Sequence, residues 1–453
     1  MRVKVNRIGI NGEGVVVIPT GEHKDKVCFV EGALPNEVVD ISITSNKKKF
    51  CIGKLESILD VSSDRITPQC QYFGICGGCD IQHINNELQI KFKQQNVKET
   101  IKKISGLDID VNLTIRLNDY GYRNKMVFPC VDLYDSCTIG MFAKGSHDVV
   151  NIEKCLLTSN SINNLLAISK MYFQQSGLHG YNYKTCEGDI KYIVVRESKN
   201  AVLVTIVTTH SINLEEYYDI LSKNFDSVGL SMVISDSNCE IMSGEYKYIN
   251  GLKYLELEEY GIKYKVDNRG FLQVNNKIKC YLYKSVLDEI SDSDTVIDAY
   301  SGAGLLSAIM AKKCKHVYGI EINKSAVNSA KNLAIDNKLS NVSYICGDVK
   351  NNIKDCLNEK SNIVVVLDPP RSGVDDVVLE TILNYNDCDN LSKYGENSNN
   401  CRVSKIIYIS CNVATLARDL KVLSKRYNIK SITPLDMFPQ TRHVETLVVM
   451  DLK

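Results

Sequence analysis

The first region of the chain, residues 1–59, carries short runs of alternating apolar and polar residues that predict β-strands. Glycines separate these runs, and short strands between glycine turns are typical of a small barrel. A barrel of the OB type is a common way to bind nucleic acid, although a purely stabilising domain would show the same pattern. The predicted strands are Arg2–Val5, Gly14–Ile18, Val27–Val30, Glu37–Ser42 and Phe50–Ser57.

The last region, residues 267–453, alternates apolar strand-like runs with helical segments. This alternation predicts a mainly parallel sheet with helices on both faces. A polar, Asn-rich segment at 386–400 interrupts the pattern and is predicted to be a surface loop. The predicted strands are Thr295–Ala299, His316–Ile320, Val342–Cys346, Ile363–Leu367, Lys405–Ile409, Ser431–Met437 and Thr446–Met450.

The middle region, residues 60–266, mixes one clear helical segment, Asn85–Ser105, with several strand-like runs such as Tyr192–Arg196. It is predicted to be an α+β domain, and its helix could also pack on the C-terminal domain. The chain therefore divides into three predicted domains, and its overall class is α/β. Their boundaries are 1–59, 60–266 and 267–453.

A group of cysteines in the middle region is the candidate metal site. Glycines 77 and 78 let the backbone turn tightly enough for neighbouring thiols to face one centre. Four thiolates suit structural zinc or an iron–sulfur cluster about equally, and coincidence in a chain with 17 cysteines is the weaker alternative. The candidate ligands are Cys70, Cys76, Cys79 and Cys155.

Composition and charge restrict the class of protein. The polar N-terminus and the lack of an apolar run of about 18 residues predict a cytoplasmic protein with no membrane partner. The 54 basic residues balance 54 acidic ones, which argues against a nonspecific nucleic-acid binder. Two local basic strips, 91–125 and 402–430, could hold phosphates or could simply be solvated helix faces.

Polar residues follow the first four predicted strands of the last region. A turn rich in glycine, 298–304, would let the backbone approach a ligand closely. Glu321 is suitably placed for ribose hydroxyls, and Ser307 replaces the third glycine of a dinucleotide fingerprint, which disfavours NAD. Together these features resemble an S-adenosylmethionine-dependent methyltransferase domain. The candidate cofactor residues at these strand ends are Tyr300, Gly302, Glu321, Asp348 and Asp368.

Cys411 stands where the strand-like run 405–409 gives way to a helical segment, 413–425. Ligands and reactive groups of open α/β sheets gather at this edge. A cysteine alone is weak evidence, because free cysteines are usually buried and inert. A reactive thiol would need its pKa lowered below about 8.5, for instance by the helix N-terminus, or its proton removed when substrate binds.

The whole set of motifs resembles the RNA uracil-5-methyltransferase family. The resemblance extends over essentially the full length, with Val413 where the family often has proline. The N-terminal barrel resembles the TRAM domain, and the four cysteines resemble the [4Fe–4S] ligands of the ribosomal-RNA branch. The motifs that carry it are Phe271-Leu-Gln273-Val-Asn275, Asp368-Pro-Pro-Arg-Ser-Gly, Ser410-Cys411-Asn412 and His443-Val444-Glu445.

The resemblance implies S-adenosylmethionine as methyl donor and a covalent mechanism. Cys411 is then the nucleophile at carbon 6 of the uridine, and Glu445 is the base that removes the proton from carbon 5. Gln273 is implied to contact the cofactor. The candidates for contacts to RNA are Arg123, Lys125 and Phe271.

The expected substrate is 23S ribosomal RNA, at one or more uridines, and the expected state is a monomer. Methylation of tRNA is the first alternative, disfavoured because the tRNA branch generally lacks the cysteine cluster and the barrel. Methylation of cytosine fits the motif order less well. A non-catalytic iron–sulfur protein that binds RNA is the alternative from another class, and it leaves the intact Cys411 and Glu445 unexplained.

Overall fold

The computed structural model describes most of the chain in three main sheets and nine helices. The predicted loop at 386–400 lies outside the described residues. No helix in the described part is long and apolar enough to cross a membrane. The described ranges are 1–133, 136–237, 240–357, 361–385 and 402–453.

The N-terminal sheet has six strands in the order β1-β5-β6-β4-β3-β2. The two edge strands, β1 and β2, are separated by only two residues in the chain. Six strands laid flat would be about 24 Å wide, whereas the link between β1 and β2 reaches only about 10 Å. The sheet must therefore curl round on itself. Its strands are β1 (Arg2–Lys4), β2 (Arg7–Ile8), β3 (Gly14–Val17), β4 (Val27–Val30), β5 (Val38–Asn46) and β6 (Phe50–Asp60).

The central region forms a six-stranded sheet in the order β14-β13-β12-β11-β7-β8 and two small hairpins. Its two helices pack on one face of this sheet around a shared apolar core. The strands are β7 (Lys125–Leu133), β8 (Ser136–Ile139), β9 (Met141–Phe142), β10 (Val149–Val150), β11 (Ile190–Ser198), β12 (Ala201–Thr208), β13 (Ser227–Ile234), β14 (Glu245–Gly251), β15 (Leu255–Glu259) and β16 (Ile262–Val266). The helices are α2 (Asn160–Gln175) and α3 (Glu215–Asn224).

The C-terminal sheet has seven strands in the order β19-β18-β17-β20-β21-β23-β22. The first five in this order run parallel, and β23 runs antiparallel to both of its neighbours. Their apolar runs are buried on both faces, as in parallel sheets covered by helices. The strands are β17 (Thr295–Ala299), β18 (His316–Glu321), β19 (Val342–Cys346), β20 (Asn362–Leu367), β21 (Arg402–Ser410), β22 (Tyr427–Leu435) and β23 (Glu445–Leu452). The helices are α4 (Asn276–Asp288), α5 (Leu305–Ala311), α6 (Lys324–Asp336), α7 (Val349–Cys356), α8 (Asp376–Tyr385) and α9 (Val413–Leu423).

The long helix α1 (Asn86–Ser105) packs on the C-terminal sheet layer, chiefly against α9. It begins after Asn85, whose side chain accepts a hydrogen bond from the Leu88 amide. The buried ammonium of Lys93 donates to the Asp436 carboxylate at 2.6 Å. This buried ion pair ties the helix to the segment that leads into β23, because breaking it would leave an uncompensated charge in the interior.

Candidate active site

The candidate site lies along the carboxyl edge of the parallel strands. The strands β17 to β21 run parallel in the sheet, so their carboxyl ends meet at the same edge. Each of the five ends is followed or terminated by a residue that the sequence singles out. In strand order these residues are Tyr300, Glu321, Asp348, Asp368 and Cys411.

Cys411 and Glu445 meet through the pairing of β21 with β23. Ser410, the last residue of β21, lies opposite Thr446, the second residue of β23. Cys411 follows Ser410 and Glu445 precedes Thr446, so the two residues lie next to the last pair of this antiparallel ladder. Cys411 is exposed, whereas Glu445 is only 5% exposed. The arrangement places an accessible thiol beside a buried carboxyl group.

Burial and neighbouring charge set the proton affinities of this pair. Burial, and then the nearby Asp368, raise the pKa of Glu445 to about 8, while Arg371 opposes the rise. Partial burial, and then Glu445, raise the pKa of the Cys411 thiol above its ordinary value. In the free protein near neutral pH, both groups therefore hold their protons for most of the time.

The raised pKa of Cys411 bears on the two activation routes that the sequence leaves open. Helix α9 does begin directly after the thiol, with the Asn412 side chain accepting from the Ala414 amide at 3.1 Å. A helix N-terminus favours a thiolate, whereas burial and the neighbouring carboxyl groups raise the pKa of this thiol. Of the two routes, proton removal when substrate binds is the one that agrees with a raised thiol pKa in the free site.

Arg371 belongs to the site, although sequence reasoning assigned it no role. Its positive charge lowers the pKa of both Cys411 and Glu445 against the dominant effect of burial. Its backbone carbonyl accepts hydrogen bonds from Asn412 Nδ2 at 2.9 Å and from Thr415 Oγ1 at 3.3 Å. The available signal was its position in the Asp-Pro-Pro-Arg motif, three residues after Asp368.

The turn after β17 forms an open cradle that suits a nucleoside. Tyr300 and Gly302 both adopt positive φ, 70° and 54°. A side chain built on Gly302 would meet no atom within 4 Å, so open space faces the backbone there. The Gly302 amide donates to Glu321 Oε2 at 3.0 Å, and the Asn323 amide donates to Oε1 at 2.7 Å. Glu321 is thereby held at the rim of the cradle.

Asp348, the candidate residue on the far side of the cradle, caps helix α7. Its carboxylate accepts from the Lys350 amide at 3.2 Å, and the Lys350 ammonium lies 3.3 Å away. The side chain remains 37% exposed and so keeps oxygen atoms accessible to a ligand.

Two carboxyl groups with raised pKa values, Asp298 and Asp368, lie beside the cradle. Asp298 is 2% exposed and accepts a hydrogen bond from the Ser307 hydroxyl. Burial raises the pKa of Asp298 to about 7 and the pKa of Asp368 to about 7. Carboxyl groups with raised pKa values suit a cationic ligand, because a bound positive charge favours their ionised form. The sulfonium of S-adenosylmethionine is such a cation, and these residues fit it.

The segment that carries Phe271 and Gln273 is anchored on both sides. The Asn124 amide donates to the Val274 carbonyl at 3.0 Å, and Asn124 Nδ2 donates to the Gln273 carbonyl at 3.1 Å. Asn275 caps α4 and donates to the Met437 carbonyl at 3.4 Å, in the segment that leads to Glu445. Phe271 remains 80% exposed, whereas Gln273 is half-buried.

The two predicted phosphate contacts, Arg123 and Lys125, are both half-buried. Lys125 is half-buried and donates to the Asn268 carbonyl at 2.7 Å, and burial lowers its pKa to about 8. Arg123 lines the cysteine cavity, and its guanidinium lies 5.8 Å from the centre of the Phe438 ring. Both side chains have internal partners that sequence reasoning did not foresee, and neither lies on an open surface strip.

All four candidate cysteine ligands, Cys70, Cys76, Cys79 and Cys155, line one apolar cavity. No three His, Cys, Asp or Glu side chains of the described residues converge closely enough to hold a single metal ion. Burial raises the pKa of Cys76, Cys79 and Cys155, and that of Cys79 reaches about 12.

Arg123 supplies a further test of the cysteine cavity. Its Nε atom is buried and has no hydrogen-bond partner among the residues that the structure describes. A buried cationic donor in a cavity of thiols fits an anionic group, and four thiolates around an iron–sulfur core provide one.

The strand order of the C-terminal sheet and the acidic strand ends define a methyltransferase of the class I type that uses S-adenosylmethionine. Comparison with known proteins narrows this class. A model of the tRNA (uracil-5-)-methyltransferase family matches residues 85–453. The chain therefore belongs to the RNA uracil-5-methyltransferase family, as its motifs predict.

Relatives with nearly the same length extend the similarity to the whole chain. An uncharacterized RNA methyltransferase of Listeria innocua is 33% identical over 438 residues, which cover 94% of this chain and 92% of that protein. One from Clostridium tetani is 35% identical over 442 residues, 94% of this chain and 93% of that protein.

A solved structure shares the fold from end to end. The Pyrococcus abyssi tRNA (uracil-54, C5)-methyltransferase, in complex with S-adenosyl-L-homocysteine, superposes with a TM-score of 0.74 at 24% identity. The match covers 99% of this chain and 100% of that one. A protein that acts on tRNA thus has the complete architecture, so overall architecture does not separate tRNA from ribosomal RNA as substrate.

Proposed function

We propose that this RNA uracil-5-methyltransferase modifies uridine at carbon 5 in 23S ribosomal RNA through a covalent enzyme–uracil adduct. The observation that carries the chemistry is the juxtaposition of Cys411 and Glu445 across the β21–β23 ladder. Carbon 5 of uracil is a poor nucleophile, so a thiolate must first add to carbon 6. A base must later remove the proton from carbon 5, and these two residues can divide that work.

The first half of the proposed reaction belongs to Cys411. The proton of its thiol passes to solvent as the substrate binds, and Sγ forms a bond to carbon 6 of the uracil. The electron pair of the carbon 5–carbon 6 double bond moves toward the oxygen on carbon 4, which makes carbon 5 nucleophilic. S-adenosylmethionine, when bound, supplies the methyl group that carbon 5 takes up.

The second half belongs to Glu445. The methylated carbon 5 still bears its proton, and the Glu445 carboxylate removes it. The released electron pair restores the double bond and expels Sγ of Cys411 from carbon 6. Because burial holds a proton on Glu445 in the free protein, that carboxyl group must first release its proton to solvent before it can act as the base.

The methyl donor would be held in the cradle at the carboxyl edge of the sheet. Glu321 and Asp348 offer acceptors for the nucleoside, and Asp368 and the buried Asp298 offset the sulfonium charge. Gly302 leaves the space that the ligand needs. The full set of proposed contacts is Gln273, Tyr300, Gly302, Glu321, Asp348 and Asp368.

We further propose that the four cavity cysteines hold a [4Fe–4S] cluster, for which the unpartnered Arg123 Nε is the supporting observation. The cluster would bind the loop around Cys76 to Cys155 and so order the middle region. The curled N-terminal sheet would act as an OB-like barrel of the TRAM type, and Phe271, Arg123 and Lys125 would contact RNA. Because the last two face inward, Phe271 is the most accessible of the three.

A second candidate substrate is tRNA, which the description of the matching family model names. The test is methyl transfer from labelled S-adenosylmethionine to whole ribosomal RNA and to bulk tRNA, followed by mapping of the labelled nucleotide. Label at carbon 5 of a 23S uridine supports the proposal, and label only in tRNA replaces it by the second candidate. Transfer to neither RNA would contradict both candidate functions. The Cys411→Ala variant gives the background level of labelling.

A further inference from the structure

The short segment before Phe271 carries a planar cation that the reaction above does not use. Arg269 lies two residues before Phe271, and its guanidinium carbon sits 4.0 Å from the centre of the Tyr246 ring. Asp267 Oδ2 accepts from Arg269 Nε at 2.9 Å and from Nη2 at 2.7 Å. The two-point contact fixes the guanidinium plane, while the Arg269 side chain remains 48% exposed.

The central sheet holds this segment through the side chain of Asn268. Asn268 Nδ2 lies within hydrogen-bonding distance of three acceptors on β11 and β12. The backbone carbonyl of Asn268 accepts a hydrogen bond from Lys125 Nζ at 2.7 Å. The three acceptors are the Val194 carbonyl at 3.2 Å, the Leu203 carbonyl at 3.1 Å and Thr205 Oγ1 at 3.0 Å.

Two further contacts complete the anchor. The buried Arg196 donates from Nη2 to the Gly270 carbonyl at 2.6 Å. The Gly270 amide donates to Asp267 Oδ1 at 2.9 Å. These contacts pre-organise the loop without a ligand, and they fix the positions of Arg269 and Phe271 relative to each other.

We propose that Arg269 stacks on an unpaired base that flanks the target uridine, an inference that rests on the proposed function. A target base must leave its stack to reach the pocket, which exposes a face of each neighbouring base. Arginine planes and aromatic rings are the surfaces that receive such bases. Tyr246 covers one side of the Arg269 plane, and the 48% exposure of the Arg269 side chain leaves surface for a base.

Stacking on a base depends on the planar guanidinium of Arg269, whereas a contact to phosphate needs only its positive charge. Lysine keeps the charge and loses the plane. Lys247 provides a matched control, since it follows Tyr246 on β14 and points to the opposite side of the strand.

The experiment uses the full-length protein and a stem–loop RNA that contains the uridine mapped for the wild type. KM for the RNA is expected to rise about 5- to 100-fold in Arg269→Ala, the range that corresponds to stacking of one base. Arg269→Lys should recover little of the loss, and Lys247→Ala should stay within about 2-fold of the wild type. Melting temperature and affinity for S-adenosylhomocysteine should be unchanged in all three variants.

A second RNA, abasic at one flanking nucleotide, completes a double-mutant cycle. For one of the two flanking positions, the wild type on abasic RNA should be as weak as Arg269→Ala on intact RNA, and the two changes should not add. Fully additive losses at both positions, full activity of Arg269→Lys, or a parallel loss of cofactor affinity would each overturn the role of Arg269. Wild-type protein that transfers no methyl group to RNA would contradict the proposed function itself, which makes the two failures distinguishable.

Discussion

Ser410 faces Thr446 across the antiparallel strands β21 and β23, and this single pairing brings the proposed nucleophile to the proposed base. Cys411 and Glu445 each lie one residue from this pair, although they come from different segments of the chain. Register is strongly specified here, because a slip by one residue would turn every side chain of β23 to the opposite face. The buried Leu447 and Val449 and their neighbours on both faces resist such a slip.

Replacing the base should trap the covalent adduct on unmodified RNA. Without Glu445 the proton on carbon 5 stays in place, so Sγ of Cys411 cannot be expelled. Glu445→Gln should therefore accumulate an RNA–protein adduct that resists denaturing electrophoresis, with turnover reduced about 100- to 10,000-fold.

The matching control is 5-fluorouridine RNA, whose carbon 5 has no proton to lose. Wild-type protein should form a stable adduct with this RNA, and Cys411→Ala should form none. An adduct that persists in Cys411→Ala would show that another residue attacks carbon 6.

The rate of methylation should rise with pH. Both raised pKa values must be overcome, because the nucleophile is the thiolate of Cys411 and the base is the carboxylate of Glu445. At saturating cofactor, kcat/KM for RNA should increase between about pH 6 and about pH 9, with an apparent pKa of about 8 or above. A profile that is flat above about pH 6 would contradict the protonated resting state.

Cofactor affinity should depend on pH for the sulfonium form and much less for the neutral product. Asp298 and Asp368, each with a pKa of about 7, ionise as the pH rises and then attract a cation. S-adenosylmethionine should therefore bind more tightly at pH about 8 than at pH about 6, by several-fold. Calorimetry with S-adenosylhomocysteine, a thioether, is the control, and an equal change for both ligands would contradict this account.

Glu445 should destabilise the free protein as the pH rises. Its pKa is about 8 when folded and 4.5 when unfolded, so its favourable contribution is fully present below 4.5 and is lost as the pH rises through about 8. Glu445→Gln removes this loss. The difference in the free energy of unfolding, variant minus wild type, should increase by roughly 2 to 4 kcal/mol between pH about 5 and about 8.

Denaturant unfolding at the two pH values measures that increment. Glu256→Gln is the matched control, because the Glu256 side chain is 74% exposed and its replacement should leave the pH dependence unchanged. A constant difference between wild type and Glu445→Gln would contradict the raised pKa.

The cysteine cavity yields a prediction about metal content. Cys79→Ser should lose iron, acid-labile sulfide and visible absorption from protein purified without oxygen, because one of four ligands is removed. Cys186→Ser, an exposed cysteine outside the cavity, should keep all three. Zinc in stoichiometric amount with no iron in the wild type would favour a structural zinc site instead.

Local sequence determined much of the C-terminal fold. Apolar runs of five to nine residues between helical segments locate its strands, and β17 and β19 have the predicted bounds. The polar residue at each strand end follows from the same local pattern, because parallel strands must end at one edge. The strand β2 was not predicted, because two residues are too few to show the alternation of apolar and polar positions that indicates a strand. The family also followed from sequence, through motifs whose order and spacing act together.

Only the tertiary structure decided which of these residues are buried, paired or charged. Glu445 could have been a surface acid before the last strand, yet packing of β23 between β21 and β22 buries it and raises its pKa. Arg123 and Lys125 looked like surface cations and instead face a cavity and a backbone carbonyl. Strand-forming tendency depends on neighbours along the chain, whereas burial and electrostatic potential depend on residues brought together from distant segments.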